Sequence, residues 1–342
     1  MTQTIDIIFP NYNKKDYIEE CLLSLSNQTY TNWHCIVIDG FSDDGSWEII
    51  QEFALKDSRF ELYQLPKCKR SIYEAWNFGL SKIINPFFCI LTSDDLWQVE
   101  WLETAINSLI EHPTAVAAAA KTKLLDGNSR WGDTALFNAI GEAFFQTDVR
   151  ESKLRNGMLS AIAGYFIGPI YTSIHSLVIR SDCWLAKGER FAEDLGSTSD
   201  YEWYIKLGLY GDIIYHPEIA SGWRIYEGQA TSHAEQEFTG KYIQKIHQRL
   251  RQQIADKLTN HRDYFLKEAI QYDRTVLKYH YSRPYLANLF KKPLKEIPKI
   301  FKVFLQMPVE LLRDLWFKIK GKYFFTEVSL STARKISQRI KV

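Results

Sequence analysis

Cysteine pairs, long apolar runs and an excess of either charge are all missing from this chain, and each absence excludes a class of protein. Its 342 residues include five cysteines, Cys21, Cys35, Cys68, Cys89 and Cys183, an odd and scattered set with no CxxC pair. Zinc-ribbon and dithiol redox readings therefore lose their basis. Cys35 and Cys89 lie inside apolar runs and read as reduced core thiols, which points to a reducing cytoplasm. Met1-Thr2-Gln3-Thr4 puts no basic segment ahead of an apolar core, so a secretory signal is not expected. No run approaches the roughly 18 apolar residues of a membrane-spanning helix, so the chain is expected to be soluble or peripheral. A net charge of +1 advertises no nucleic-acid partner. GxGxxG, P-loop, HExxH and GxSxG motifs are absent too, which removes the main support for dinucleotide, P-loop, zinc-protease and serine-hydrolase chemistry.

What is present is a core-forming composition, 46% hydrophobic and 14% aromatic. Residues 4–9 (TIDIIF) read as a buried strand ended by Pro10 and the turn-prone Asn11 and Asn13. Apolar residues from Tyr17 to Leu25 recur at helical spacing. Residues 33–38 and 60–65 read as strands, 46–55 and 71–84 as helices, 87–91 as a fourth strand, 96–110 as a helix and 115–120 as a fifth strand. Strands alternating with helices predict a mostly parallel sheet covered on both faces, with ligands outside the carboxyl ends of its strands. Asp39 and the Asp94/Asp95 pair fall at such ends. From Ser129 to Tyr171 no clear period survives, and a loop-and-helix region over the sheet edge is expected. Further on, 175–180 reads as a strand, 200–209 as a helix, 212–215 and 219–226 as two short strands, and 234–281 as charged helix.

Adjacent carboxylates repel unless something positive lies between them. Ser93 or Asp94 caps the helix that follows, or the pair holds a cation, and the sequence allows both together. Asp43 and Asp44 read as helix N-terminal residues. Asp200 shares a helical face with Trp203, Tyr204 and Leu207, with Glu202 pointing elsewhere. As Ser199 and Asp200 open a helix, Asp200 is either a first-turn acid or a positioned general base.

Five segments in order carry a resemblance. Pro10-Asn11-Tyr12-Asn13 follows the first strand, Val37 to Ser46 (VIDGFSDDGS) the second, and Leu91-Thr92-Ser93-Asp94-Asp95 the fourth. Ser71 to Gly79 (SIYEAWNFG) resembles a "GIYDAMNKG" segment, and Ser199 to Trp203 (SDYEW) a late "(E/S)DYDLW" segment. Together they resemble glycosyltransferase family 2, in its bacterial surface-polysaccharide branch, over about residues 4–232. The resemblance implies a Rossmann-like A-type glycosyltransferase fold and an inverting transfer from a nucleotide-diphosphate sugar, with UDP favoured, to a saccharide or lipid-linked acceptor. It implies that Asp95 contacts a divalent cation, Mn²⁺ or Mg²⁺, and that Asp94 contacts the ribose or shares that cation. Hard oxygen ligands suit such ions, which neutralise the diphosphate. Pro10, Asn11, Tyr12, Asn13, Asp39 and Asn77 would line the nucleotide, with Asp39 on the base rather than a mere turn residue before Gly40, and Arg70 would face the diphosphate or base or stand as a solvated basic residue. Asp200 would be the catalytic base, and His175 and Arg224 would meet the acceptor or diphosphate, with His175 alternatively a satisfied core histidine. Trp223 to Gly228 (WRIYEG) resembles "YRIHEG", with Tyr226 where histidine is common.

Three parts are expected: a catalytic domain over 1–233, a helical extension over 234–284 and basic amphipathic helices over 285–342. That last segment carries 13 Lys and Arg against 4 Asp and Glu, a net +9 that leaves −8 on residues 1–284. Residues 291–322 suit an anionic membrane surface on the inner face of the plasma membrane, a helix packed on the domain, or a homodimer contact. A sugar nucleotidyltransferase and an inactive nucleotide-sugar-binding scaffold are the alternatives. The first lacks its Gly-rich triphosphate loop, and the full aspartate set argues against the second.

Overall fold

The first strand, β1 (Ile5–Asn11), is buried at every position, as a strand covered on both faces must be. The computed structural model describes residues 3–65, 71–146, 153–226, 229, 240–274 and 324–340. After β1 come α1 (Lys15–Ser26), β2 (Trp33–Asp39), α2 (Ser46–Lys56), β3 (Phe60–Gln64), α3 (Ile72–Leu80) and β4 (Phe87–Ile90). β1 pairs in parallel with β2 and β4, and β2 with β3. Alternate residues of β1 feed opposite cores: Ile8 joins Ile36 and Phe88 on one face, Ile7 joins Val37 and Cys89 on the other. Gly79 lets α3 lie close on the sheet, since a Cβ there would stand 2.5 Å from Ile8 Cγ2.

Beyond β4 the sheet is mixed, so the expectation of a mostly parallel sheet holds for one half only. β5 (Leu96–Trp97), α4 (Trp101–Glu111), β6 (Ala115–Leu125), β7 (Trp131–Thr134), α5 (Leu136–Phe145), β8 (Lys153–Arg155) and α6 (Gly157–Ile167) follow. Then come β9 (Leu177–Arg180), α7 (Ser181–Leu185), α8 (Ser199–Tyr210) and β10 (Asp212–Arg224). The order is β3-β2-β1-β4-β9-β6-β10-β5, with β7 on β6 and β8 on β10. β9 runs antiparallel to both β4 and β6, and the two expected strands of 212–226 are one strand with a register shift between His216 and Ala220. The helix expected at 96–110 starts at Trp101 instead, because β5 pairs with Ser221 and Gly222 first.

α6 escaped the periodicity reading because it is buried nearly all round, leaving no polar stripe. It crosses α8 at glycines: a Cβ on Gly208 would meet Gly157 O at 2.4 Å. α9 (Gly240–Lys257), α10 (262–274) and α11 (Phe324–Ile340) then pack their apolar residues into the same cluster as α6 and α8. Among the described residues no helix is long and apolar enough to cross a membrane.

Candidate active site

Pro10 marks the point where the sheet opens. Leu91 N–H still bonds Ile8 O, but Pro10 has no N–H to offer β4, which departs there while β2 stays paired as far as Asn11 and Asp39. The Asn11 side-chain amide donates to Asp39 Oδ1 at 2.8 Å and to Ser46 Oγ at 3.0 Å. Asp39, fully buried, also accepts from Ser42 N–H at 2.9 Å, Ser42 Oγ at 2.6 Å and Gln64 Nε2 at 3.3 Å. Asn13, at φ 51°, pairs its amide with Asp43 in both directions, donating at 2.8 Å and accepting at 3.0 Å. Asp44 accepts from Lys15 N–H at 2.8 Å and Ser46 N–H at 2.9 Å, so one carboxylate serves the starts of α1 and α2. These bonds hold it below the usual carboxylate range against the opposing effect of burial. Tyr12 is exposed beside this corner.

At the end of β4 the aspartates meet different partners. Asp95 is 4% exposed and uses both oxygens: Oδ1 accepts from Arg224 N–H at 2.8 Å, while Oδ2 meets Thr92 hydroxyl and His175 Nδ1, the latter at 2.9 Å. Asp94 Oδ2 accepts from Tyr226 hydroxyl at 2.7 Å and lies 3.1 Å from Lys14 Nζ, which also donates to that hydroxyl. Neither Ser93 nor Asp94 caps a helix, since the chain continues into β5; that expectation is corrected by the pairing of β5 with β10. Arg224 is buried under Tyr17 and donates to Asp94 O at 2.7 Å, Ser129 Oγ at 2.8 Å and Glu20 Oε2 at 3.0 Å. Its guanidinium thus ties α1 and the turn before β7 to the carboxylate pair.

His175 is fully buried and arrives through Ser173, whose φ of 64° places a non-glycine residue in left-handed backbone. Its Nδ1 is shared between Ser173 Oγ at 2.6 Å and Asp95, and its Nε2 is buried without a partner. Asp200 opens α8 and keeps partial solvent access. Burial pushes its carboxyl up to about 6, opposed by N–H groups of its own turn and by Tyr204 hydroxyl. Tyr73 of α3 faces the same carboxylate, whose charge and the tyrosine's own burial raise the phenol well above its ordinary value. Trp203, one turn along, packs against Phe88 of β4 at 6.3 Å. Asn77 exchanges two hydrogen bonds with the backbone of Phe191, at 3.0 and 2.8 Å, and so latches the segment that leads into α8.

The structure therefore joins Asp94, Asp95, His175 and Arg224 directly, and joins Asn11, Asn13 and Asp39 in a neighbouring corner. Asn77 and Asp200 belong to a third group built on α3 and α8. Arg70 and residues 291–322 lie outside the described residues. Sequence reasoning missed Lys14, Thr92, Glu20 and Ser129. Lys14 alone carried a signal, a cation immediately after the Pro10–Asn13 turn.

The donors suit a divalent cation as a partial site. Two hard carboxylates stand side by side, and His175 adds a buried, unpaired nitrogen behind them. Among the described residues no three Asp, Glu, His or Cys side chains are grouped to hold a metal by themselves. An ion here would draw its remaining ligands from water and from the phosphates of a bound nucleotide, a common arrangement for Mg²⁺.

An α/β sheet, parallel where β1, β2 and β4 open and carrying aspartates at the end of β2 and beyond that of β4, resembles the A-type glycosyltransferase fold. A profile described as "Glycosyl transferase family 2" matches residues 6–167, so that this part of the chain is similar to that family. It is 32% identical over 108 residues to UDP-Glc:alpha-D-GlcNAc-diphosphoundecaprenol beta-1,3-glucosyltransferase WfgD of Escherichia coli, covering 32% of this chain and 42% of the relative. The chain thus spans less than half the length of that relative. Among solved structures, S. aureus TarS 1–349 in complex with UDP-GlcNAc superposes with a TM-score of 0.61 at 20% identity, over 99% of this chain and 92% of TarS 1–349. The mannosyltransferase PcManGT from Pyrobaculum calidifontis, in complex with GDP-Man and Mn²⁺, gives 0.55 at 16% identity over 97% and 86%. At these identities the two structures establish the fold.

Proposed function

We propose that the chain is an inverting, metal-dependent glycosyltransferase that moves a sugar from a nucleotide-diphosphate sugar, UDP-linked by preference, to a hydroxyl of a saccharide or lipid-linked acceptor in surface-polysaccharide assembly. The observation that carries it is the placement of Asp94 and Asp95 at the end of β4, beside the Asn11–Asp39 corner. WfgD, named for UDP-Glc as donor and alpha-D-GlcNAc-diphosphoundecaprenol as acceptor, supports the donor and acceptor classes. The Mn²⁺ in the PcManGT complex supports the cation.

Asp94 and Asp95 would hold Mn²⁺ or Mg²⁺, which when bound neutralises charge on the departing diphosphate. Tyr12, Asn13 and the Asn11–Asp39 corner receive the nucleoside. Asp200 takes the proton from the acceptor hydroxyl as that oxygen bonds to the anomeric carbon. The bond from that carbon to the diphosphate oxygen breaks on the opposite face, which inverts the configuration and releases the nucleoside diphosphate. Its raised pKa brings Asp200 nearer to the operating pH than an ordinary aspartate, as a base must be. The basic segment 291–322 is proposed to meet an anionic membrane surface on the strength of its charge.

A thermal-shift panel of nucleotide-sugars with and without Mn²⁺ tests the reading. Stabilisation by one nucleotide-sugar that needs the metal is the expected result. Release of inorganic diphosphate from a nucleoside triphosphate would instead identify a nucleotidyltransferase.

A further inference from the structure

The carboxylate pair at the end of β4 already carries a cation of the protein's own. Lys14 Nζ lies 3.1 Å from Asp94 Oδ2, and the Tyr226 hydroxyl closes a triangle by accepting from that ammonium and donating to the same oxygen at 2.7 Å. The neighbouring Asp95 has both oxygens committed to Arg224 N–H, Thr92 and His175. In the free protein the two adjacent charges are therefore compensated, Asp94 by an ion pair and Asp95 by donors. A metal ion approaching alone would have to displace the ammonium and receive at most two protein carboxylates in return, because the His175 nitrogen facing the pair is already engaged with Asp95 and no three acid or imidazole groups are arranged to hold a metal among the described residues. A metal arriving with a diphosphate brings phosphate oxygens as ligands, and it also brings negative charge to take up the displaced ammonium. Lys14 is built for that exchange. It occupies the residue just before α1, its side chain makes no cap bond to the helix, and its flexible stem reaches across the mouth of the site.

We infer that Lys14, held by Tyr226, is the resident counter-ion of the Asp94–Asp95 pair, and that it makes divalent-cation binding depend on a nucleoside diphosphate entering at the same time. The inference rests on the reading that the pair takes a metal. It adds an order of binding and gives Lys14 a positioning role, moving from Asp94 to the phosphates as the metal enters.

Mn²⁺ binding to the full chain, followed by loss of the free-ion electron paramagnetic resonance signal, tests this without any transfer assay. The wild type, Lys14→Met and Tyr226→Phe are each titrated alone and with UDP or GDP, and thermal melts verify folding. The wild type is expected to bind Mn²⁺ weakly alone and at least about ten-fold more tightly with the cognate diphosphate. Lys14→Met should bind Mn²⁺ alone about ten-fold more tightly than wild type, the order expected for removing one charge contact near a partly screened site. Its further gain from the nucleotide should shrink. Tyr226→Phe, which keeps the ring and removes the hydroxyl, should move the same way by a smaller factor. Wild-type metal affinity in Lys14→Met, with nucleotide still recruiting Mn²⁺, would overturn the counter-ion role and leave the metal reading standing. Tight Mn²⁺ binding by the wild type without nucleotide would overturn the order of entry. Failure of every variant to bind Mn²⁺ with either diphosphate would overturn the metal reading and this inference with it.

Discussion

Two corners of one sheet edge hold aspartates, and they hold them differently. At the end of β2, Asp39 is enclosed by neutral donors, two from Ser42 in the following loop and one each from Asn11 of β1 and Gln64 of β3. At the end of β4, Asp94 and Asp95 meet Lys14, Tyr226, His175 and the backbone of Arg224, two of them brought from more than 100 residues away and two from 80. The first arrangement is neutral and built on the paired strands β1, β2 and β3 and the loop after β2, which suits a rigid floor. The second is charged and assembled from distant segments, which suits partners that exchange when a ligand arrives. Asp200 extends that contrast, since its carboxyl is desolvated, has no cationic partner among the causes of its shift, and retains some access to solvent.

The comparison breaks most visibly at Asp200. Asp200→Asn should lower kcat by about 10²–10⁴, the range for losing a positioned base, while nucleotide binding by calorimetry stays at the wild-type level. A near-wild-type rate would remove Asp200 from the base role. Asp39 should behave in the opposite sense: Asp39→Ala strands four donor contacts in a buried corner and should cost about 3 kcal/mol in urea unfolding. An unchanged unfolding midpoint would show that the corner is not the rigid floor described.

The next effect is on pH. Asp200 must be ionised to accept a proton, so transfer should fall about ten-fold per unit once the pH drops below about 6. Stability runs the other way. A folded-state pKa raised from 3.8 to about 6 means that the folded chain holds this proton more tightly than the unfolded one. The stabilisation is full below about 4 and is lost as pH rises through about 6, so Asp200→Asn should melt at or above the wild-type temperature at neutral pH. Gly79→Ala, which forces a Cβ against Ile8, should cost about 1–3 kcal/mol by thermal unfolding with little change in the pH profile. The smallest shift is expected from Tyr204→Phe. Removing a hydroxyl that lowers the Asp200 pKa should move the acid limb of the rate profile upward by a fraction of a unit.

The elements from β1 to β4 were legible because each has a strong local signature. A buried strand is a short apolar run, and α1 and α3 carry one apolar stripe facing one core. Legibility declined where burial was complete or pairing distant. α6 has no polar face to mark its period. β5 is two residues long and exists because Ser221 and Gly222 lie opposite it, so a local reading extends the following helix over it. β9 contains nothing that states its direction, which is decided by β4 and β6 on either side. The site divides in the same way: Asp39, Asp94, Asp95 and Asp200 were readable as acids at strand ends or a helix start, whereas Lys14, Thr92, Glu20 and Ser129 became visible only through their partners.

By itself the sequence determined which carboxylates stand at the ends of β2 and β4, because a run of apolar residues followed by a turn leaves the next polar residue at the sheet edge. It also placed Asp200 in the first turn of a helix. The tertiary structure alone decided what faces those acids. Arg224 became a buried tie to α1 rather than a free cation, and Lys14 became the ammonium on Asp94. The physical reason is that strand ends follow from local backbone preferences, while the charge around a carboxylate is summed over every segment the fold brings within a few ångströms.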